Sequence, residues 1–262
     1  MQGPPATIDP FSAWLSALEV RHFASVAFSE MRRGLQALST IYVERRERIA
    51  SGAAFDGAGK RAAFAVFYGP IHFMVVSRIA RALGAASPPL RIILDLGCGT
   101  GASGAGWAIE ACGFDSAAPP RLTGVDCHPW AIEEARWTWR TLGLSGHARR
   151  GEAERKRLPG RESGILAAYT VNELPAAGRD RLLRGLLDAA ARGARVLIIE
   201  PIARAASPWW DAWAEAFLGA GGRSDDWRFE PDLPETLARL DRAAGLDHRE
   251  LTARSLWLSG AT

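Results

Sequence analysis

The chain has 262 residues, with 32 Lys and Arg against 29 Asp and Glu, for a net charge of +3. It is 48% hydrophobic and 23% charged, which excludes a disordered chain and a collagen-like or disulfide-scaffold protein. The length suits one large domain, or a domain with a substantial extension.

Residues 11–50 read as helical. Trp14, Leu15, Leu18, Phe23 and Val26 give an irregular apolar face. Met31, Leu35, Leu38 and Tyr42 recur at helical spacing. The stretch 51–59 is a Gly/Ala-rich break, and a second helical pair follows, interrupted at Gly69-Pro70. Within that pair, Tyr68 and His72 stand one turn apart. The most apolar run, Phe64 to Val76, is too short to span a bilayer. Pro88-Pro89 marks a boundary. It leaves an N-terminal helical extension over 1–88 and a second domain over 89–262.

From Leu90 the pattern changes to alternating strands and helices. Strands are expected at 91–96, 122–125, 147–150, 164–171 and 195–199, with a final antiparallel pair inside 246–258. Helices are expected at 102–111, from Pro129, at 180–191 and at 234–244. Such alternation implies right-handed crossovers and a mainly parallel sheet with helices on both faces. The expected class is α/β.

The segment Ile93-Leu94-Asp95-Leu96-Gly97-Cys98-Gly99-Thr100-Gly101 is the most informative. An apolar strand ends on an acid, glycine then recurs at every second position, and a small-residue helix follows. Such a loop lies where an open α/β sheet binds a nucleotide-like ligand. Gly99-x-Gly101-x-x-Gly104 also spells the dinucleotide fingerprint. That pattern normally begins right after the strand and does not need the acid.

The longer pattern, acid-x-Gly-x-Gly-x-Gly, resembles motif I of the class I S-adenosylmethionine-dependent methyltransferases, with Asp95, Gly97, Gly99 and Gly101 in its fixed positions. The resemblance implies a Rossmann-like fold, a mainly parallel seven-stranded sheet plus the helical extension, and S-adenosylmethionine as cofactor. It places Asp95, Gly97, Cys98, Gly99, Thr100 and Gly101 against the cofactor and Asp126, at the end of the second strand, on the ribose diol. Capping of the helix at Pro129 is the alternative for Asp126. Cys127 and His128 would flank the adenine ring. Glu152, with Ala153, would read its amino group, where the family usually has Asp; a solvated charged face is the alternative.

The exit of the fourth strand, Ala168 to Pro175, would lie under the methyl group, and its residues would form the floor of the acceptor site. Thr170 and Asn172 would touch the cofactor, and Glu173 is a candidate base or a helix-capping residue. In many class I enzymes an N-terminal helix folds over the cofactor. Tyr68 would then bond the methionine carboxylate and His72 would face the acceptor; both would otherwise be packed core. Trp209, Trp210 and Trp213 suit either the acceptor pocket or ordinary packing. No metal site is suggested.

The reading is an enzyme that moves a methyl group to an O, N or C nucleophile of a small-molecule acceptor. Two alternatives stand beside it. The helices, motif I, Asn172-Glu173-Leu174 and Glu200-Pro201 resemble the mitochondrial small-subunit ribosome-assembly methyltransferase-like family, and the basic stretch Arg149–Arg161 could contact RNA phosphates. That family's cysteine cluster is absent from this sequence. A non-catalytic cofactor-binding module is the other. Three cysteines without metal spacing, no leader-like N-terminus and no membrane-spanning run give a cytoplasmic expectation. Oligomeric state is left open.

Overall fold

A computed structural model describes residues 9–44, 55–112, 119–203 and 207–260. Seven strands form one sheet: β1 (Ile92–Leu96), β2 (Arg121–Asp126), β3 (Gly146–Arg150), β4 (Ser163–Ala168), β5 (Arg195–Glu200), β6 (Arg223–Phe229) and β7 (Leu251–Leu258). Their order is β3-β2-β1-β4-β5-β7-β6. The first five run parallel, and β7 is antiparallel to both β5 and β6. Strands β4 and β5 are buried along their whole length. That burial is why they read as unbroken apolar runs rather than alternating ones.

The helices are α1 (Pro10–Phe23), α2 (Phe28–Glu44), α3 (Ala58–Ala63), α4 (Gly69–Ala82), α5 (Ala102–Cys112), α6 (Pro129–Thr141), α7 (Ala176–Ala191), α8 (Trp210–Gly219) and α9 (Glu235–Ala244). The expected strands and helices from Leu90 onward are present within a few residues, apart from the C-terminal pair. Only β7 lies in 246–258. Its partner β6 precedes α9, and its polar residues Asp225, Asp226 and Arg228 occupy a sheet edge, so no apolar run betrays it. Residues 45–50 of the first helical reading, 51–54 of the expected break and the side chain of Tyr42 lie outside the described residues.

The expected interruption at Gly69-Pro70 does not occur. Residues Ala58–Ala82 form one continuous helical run. A wide π-helical turn at Phe64–Tyr68 joins α3 to α4, with the Gly69 N–H donating to the Phe64 carbonyl. The widened turn accommodates the proline ring that a regular α-turn would clash with. The run is long and apolar enough to cross a membrane, yet 72% of its 18-residue apolar window is buried in the fold, where α4 packs along α5. Residues of α1, α2 and α4 share one apolar core with α5, α6 and the sheet. A second core lies on the opposite face, between the sheet, α7 and α8.

The N-terminal helix is fastened electrostatically as well. Glu134 on α6 is 1% exposed and accepts from His22 Nε2 at 2.9 Å and Arg21 at 3.2 Å, both on α1. Burial alone would raise its carboxyl, but the His22 and Arg21 bonds overcome that and hold it below the ordinary range. A lowered folded pKa adds stability above the unfolded value and loses it as pH falls through the folded one. Glu134→Ala is expected to cost about 3 kcal/mol by stranding buried His22. The urea midpoint at pH 7 should fall accordingly, and the gap to the parent chain should close below pH 4.

Candidate functional site

The strand order reverses between β1 and β4, and an open α/β sheet forms its ligand crevice at such a point. The glycine loop leaves β1 here. Gly97 has φ +67°, and a Cβ on it would stand 2.3 Å from Thr170 Oγ1. That hydroxyl donates to the Leu96 carbonyl at 3.0 Å, clamping the loop to the exit of β4. From the other side, the Gly97 and Cys98 N–H groups donate to the Val125 carbonyl of β2.

Asp95 lies beneath this loop. It is 1% exposed and accepts from the Gly104 N–H at 3.1 Å. A Cβ on Gly104 would meet its carboxylate at 2.6 Å. Burial raises the Asp95 carboxyl to about 7, against the opposing pull of the Gly104 bond. Gly101 gives its carbonyl to Trp139 Nε1 at 2.8 Å, beneath α6. Neither Asp95 nor Gly101 lines the crevice, unlike the cofactor contact expected of them. Both sit on its inner side and fix the loop to α5 and α6.

The crevice is a cavity of about 750 Å³. Its floor is Gly97, Cys98, Gly99 and Thr100, and one end carries Asp126, Cys127, His128, Glu152 and Ala153. Tyr68, His72, Thr170, Asn172 and Glu173 form the other walls. These fourteen residues are the sequence-predicted set without Asp95 and Gly101.

Asp126 stands between floor and end wall. It accepts from the Gly99 N–H at 2.9 Å and the His128 N–H at 2.8 Å. Desolvation nonetheless raises its carboxyl. Each oxygen keeps a lone pair for a further donor. The bond to His128 closes a local turn ahead of α6 and does not cap its first-turn N–H groups, since His128 is itself the N-cap residue. Glu152 holds Arg155 in an ion pair on the rim.

Sequence reasoning missed the aromatic roof. Phe55 meets Phe64 edge-on at 5.0 Å and His128 at 4.9 Å, and both phenylalanines line the cavity. Tyr169, expected only as part of the β4 exit, stacks on His72 at 4.2 Å with an interplanar angle of 20°. Tyr169 has φ +58°, an uncommon conformation for a non-glycine residue that turns β4 sharply toward the site. The second omission is Glu200, fully buried at the end of β5. It accepts from the N–H of Val171 at 2.9 Å, the N–H of Asn172 at 3.3 Å and Asn172 Nδ2 at 2.7 Å. Trp209 Nε1 donates to Asn172 Oδ1 at 2.8 Å. The Asn172 amide is thus fixed on both sides. Glu200-Pro201 as a strand end was the signal available for this residue.

The titratable groups are displaced far from water values. His72 is pulled down to about 3 by desolvation, so it is neutral at working pH. Tyr68 is pushed up to about 12 by desolvation and the nearby Asp241 charge, and stays a hydrogen-bond donor. Tyr169 is raised by burial and Glu200. Glu173 opens to the cavity yet is ringed by protein; desolvation first, and Asp126 second, push it up to about 8. Among the described residues no cation stands within ion-pair distance of it, and no cluster of His, Cys, Asp and Glu is arranged to hold a metal ion.

No family model matches the sequence, and no curated protein does. Solved structures do match. The mitomycin 7-O-methyltransferase MmcR aligns over 97% of this chain and 73% of its own, with 16% identity and a TM-score of 0.53. A Nostoc punctiforme protein provisionally described as an O-methyltransferase aligns over 91% of this chain and 71% of its own, with 14% identity and a TM-score of 0.51. At such identities the likeness is one of fold. The chain has the Rossmann-like fold of class I methyltransferases, with its seven-stranded sheet and N-terminal helices.

Gly97→Ala tests the loop geometry. Left-handed strain and the Thr170 clash should cost roughly 2 kcal/mol or more. Its melting temperature should fall below that of a Gly143→Ala control, whose added Cβ meets nothing within 4 Å although its φ is also positive.

Proposed function

We propose that this chain is an S-adenosylmethionine-dependent methyltransferase acting on a small-molecule acceptor. The observation that carries the reading is the order of groups along one cavity: glycine loop, Asp126, then the β4 exit, under an aromatic roof. The volume lies within the range of small-molecule sites. A Cβ on Gly99 would meet only Phe64, at 3.7 Å, so the loop offers bare backbone to the cavity. The dinucleotide alternative fits less well. Two of its three glycines, Gly101 and Gly104, are turned toward Trp139 and Asp95 and not toward the cavity.

The cofactor would supply a sulfonium methyl group, transferred by in-line displacement. Asp126 would accept from the ribose diol, and His128, Glu152 and Ala153 would border the adenine. Tyr68, protonated at every working pH, would donate to the methionine carboxylate. Neutral His72, stacked on Tyr169, would shape the acceptor side; with so low a pKa it is a poor proton acceptor. Glu173 suits that task better, because a base near 8 matches neutral to mildly alkaline pH. The rest of the rate would come from alignment and exclusion of water. The three cysteines, Cys98, Cys112 and Cys127, are unpaired thiols, which supports a cytoplasmic setting. A second reading, RNA as acceptor in the manner of the ribosome-assembly family that the sequence resembles, draws its support from the basic face around Arg149 and Arg157.

Calorimetry with S-adenosylmethionine, S-adenosylhomocysteine and NAD tests the reading directly. Micromolar binding of the first two and none of NAD is expected; NAD binding alone overturns it. Asp126→Ala should weaken both cofactor forms by tenfold or more.

Glu173 gives a pH signature. A cationic sulfonium favours the ionised carboxylate, so affinity for S-adenosylmethionine should rise with pH up to about 8 and then level. Glu173→Gln should remove that rise relative to the parent chain. An unchanged profile places the carboxylate away from the sulfonium.

A further inference from the structure

Between residues 146 and 192, ten Arg and Lys stand against six acidic residues, an excess larger than the net +3 of the whole chain. The fold gathers much of this excess on one face. Ala148 of β3 belongs to the core beneath α6, where Trp139 lies. Side chains alternate along a strand, so His147 and Arg149 point to the opposite face. On neighbouring β2, Arg121 shares its face with Val125, which packs into the core beneath α7. Arg121, His147 and Arg149 therefore project on the α7 side of the sheet edge, and all three are exposed.

A groove of about 520 Å³ extends this face along α7. Its cations are Lys156, Arg157, Arg181 and Arg192, and its acids are Glu154 and Asp188. Glu154 lies 4.0 Å from Arg181, and the Arg192 guanidinium donates to the Leu158 carbonyl. The cations also act on one another. His147 is lowered by desolvation and by Arg121, Arg149, Lys156 and Arg136; Lys156 is lowered by desolvation and Arg149. No acid offsets these effects on either group.

We infer that this face docks the phosphate backbone of single-stranded RNA. The inference deepens the second reading above, and binding is measured without methyl transfer, so either can fail alone. Three observations favour this occupant. Arg181 on α7 and Arg192 at its C-cap are eleven residues apart, about 16 Å at the helical rise, which exceeds what one phosphate can bridge and suits a repeating polyanion. Arginine predominates, and its planar fork matches phosphate oxygens. The large exposed apolar side chains among the described residues are Val20 on α1 and Leu218 on α8, which packs at the β6–β7 end of the sheet away from the β3 edge, and this disfavours a membrane surface. Glu154 borders both this groove and the cofactor cavity, so a bound strand would pass beside the cavity mouth.

The test is fluorescence anisotropy of the full chain with a labelled 20-nucleotide uridine strand over a salt series. Competitors are tripolyphosphate and a glutamate 20-mer. The parent chain should bind in the micromolar range at 50 mM salt. The R149E/R157E double variant should weaken binding at least tenfold. It should also flatten the log–log salt slope by about 0.7 per cation removed. Its affinity for S-adenosylmethionine, measured alongside, should be unchanged and reports that the variant is folded. Absent RNA binding at 50 mM salt, or binding that the variant leaves intact, overturns the inference. Displacement by tripolyphosphate or the glutamate peptide at concentrations matching RNA also overturns it, in favour of a small-anion site or an acidic protein partner.

Discussion

The site depends on one contact, the closure of the β1 loop against the β4 exit. The loop can turn there because Gly97 has no side chain and a left-handed φ. Thr170 fills the vacated space and ties the Leu96 carbonyl. Two strands that neighbour each other at the reversal of the sheet are thereby locked at their carboxyl ends. Asp95 completes the arrangement from below by holding Gly104 at the start of α5. The acid of the glycine motif thus acts on the protein's own backbone. It keeps the loop flat enough for Gly99 and Asp126 to meet above it.

This division of labour explains what the sequence made legible. Glycine, acid and strand patterns are local, and they disclosed five parallel strands, the loop and Asp126. Contacts that close the cavity come from distant segments. Phe55, Phe64 and Tyr169 converge only after the N-terminal helices pack on the sheet, and isolated aromatics carry no period. Glu200 has the same character. Its three donors belong to a segment nearly thirty residues earlier, and parallel pairing of β4 with β5 is what brings them together. The edge strand β6 stayed hidden for the opposite reason: exposed on much of its surface, it has no need of an apolar pattern. Gly69-Pro70 misled because local chemistry there predicts a break, while burial against α5 sustains the helix.

The electrostatics separate two regions that adjoin at Glu154. Inside the cavity, desolvation and the Asp126 charge press Glu173 toward the neutral state. Outside, along β3 and α7, cations depress His147 and Lys156. The edge of β3 is also blunted at its centre, where the Arg136 guanidinium caps the Ala148 carbonyl through Nε at 3.0 Å and a terminal nitrogen at 2.6 Å.

The π-helical turn at Phe64–Tyr68 sets the phase of everything after it. An extra residue in one turn rotates the following helix by about 100° relative to an unbroken α-helix. With that rotation, Tyr68 and His72 face the cavity while Phe67, Ile71, Val75 and Ile79 fill the core. The width of this turn, rather than its composition, is therefore the sensitive variable. Tightening it to regular α geometry at unchanged length would leave every side chain downstream chemically unchanged and would turn α4 so that His72 no longer met the cavity.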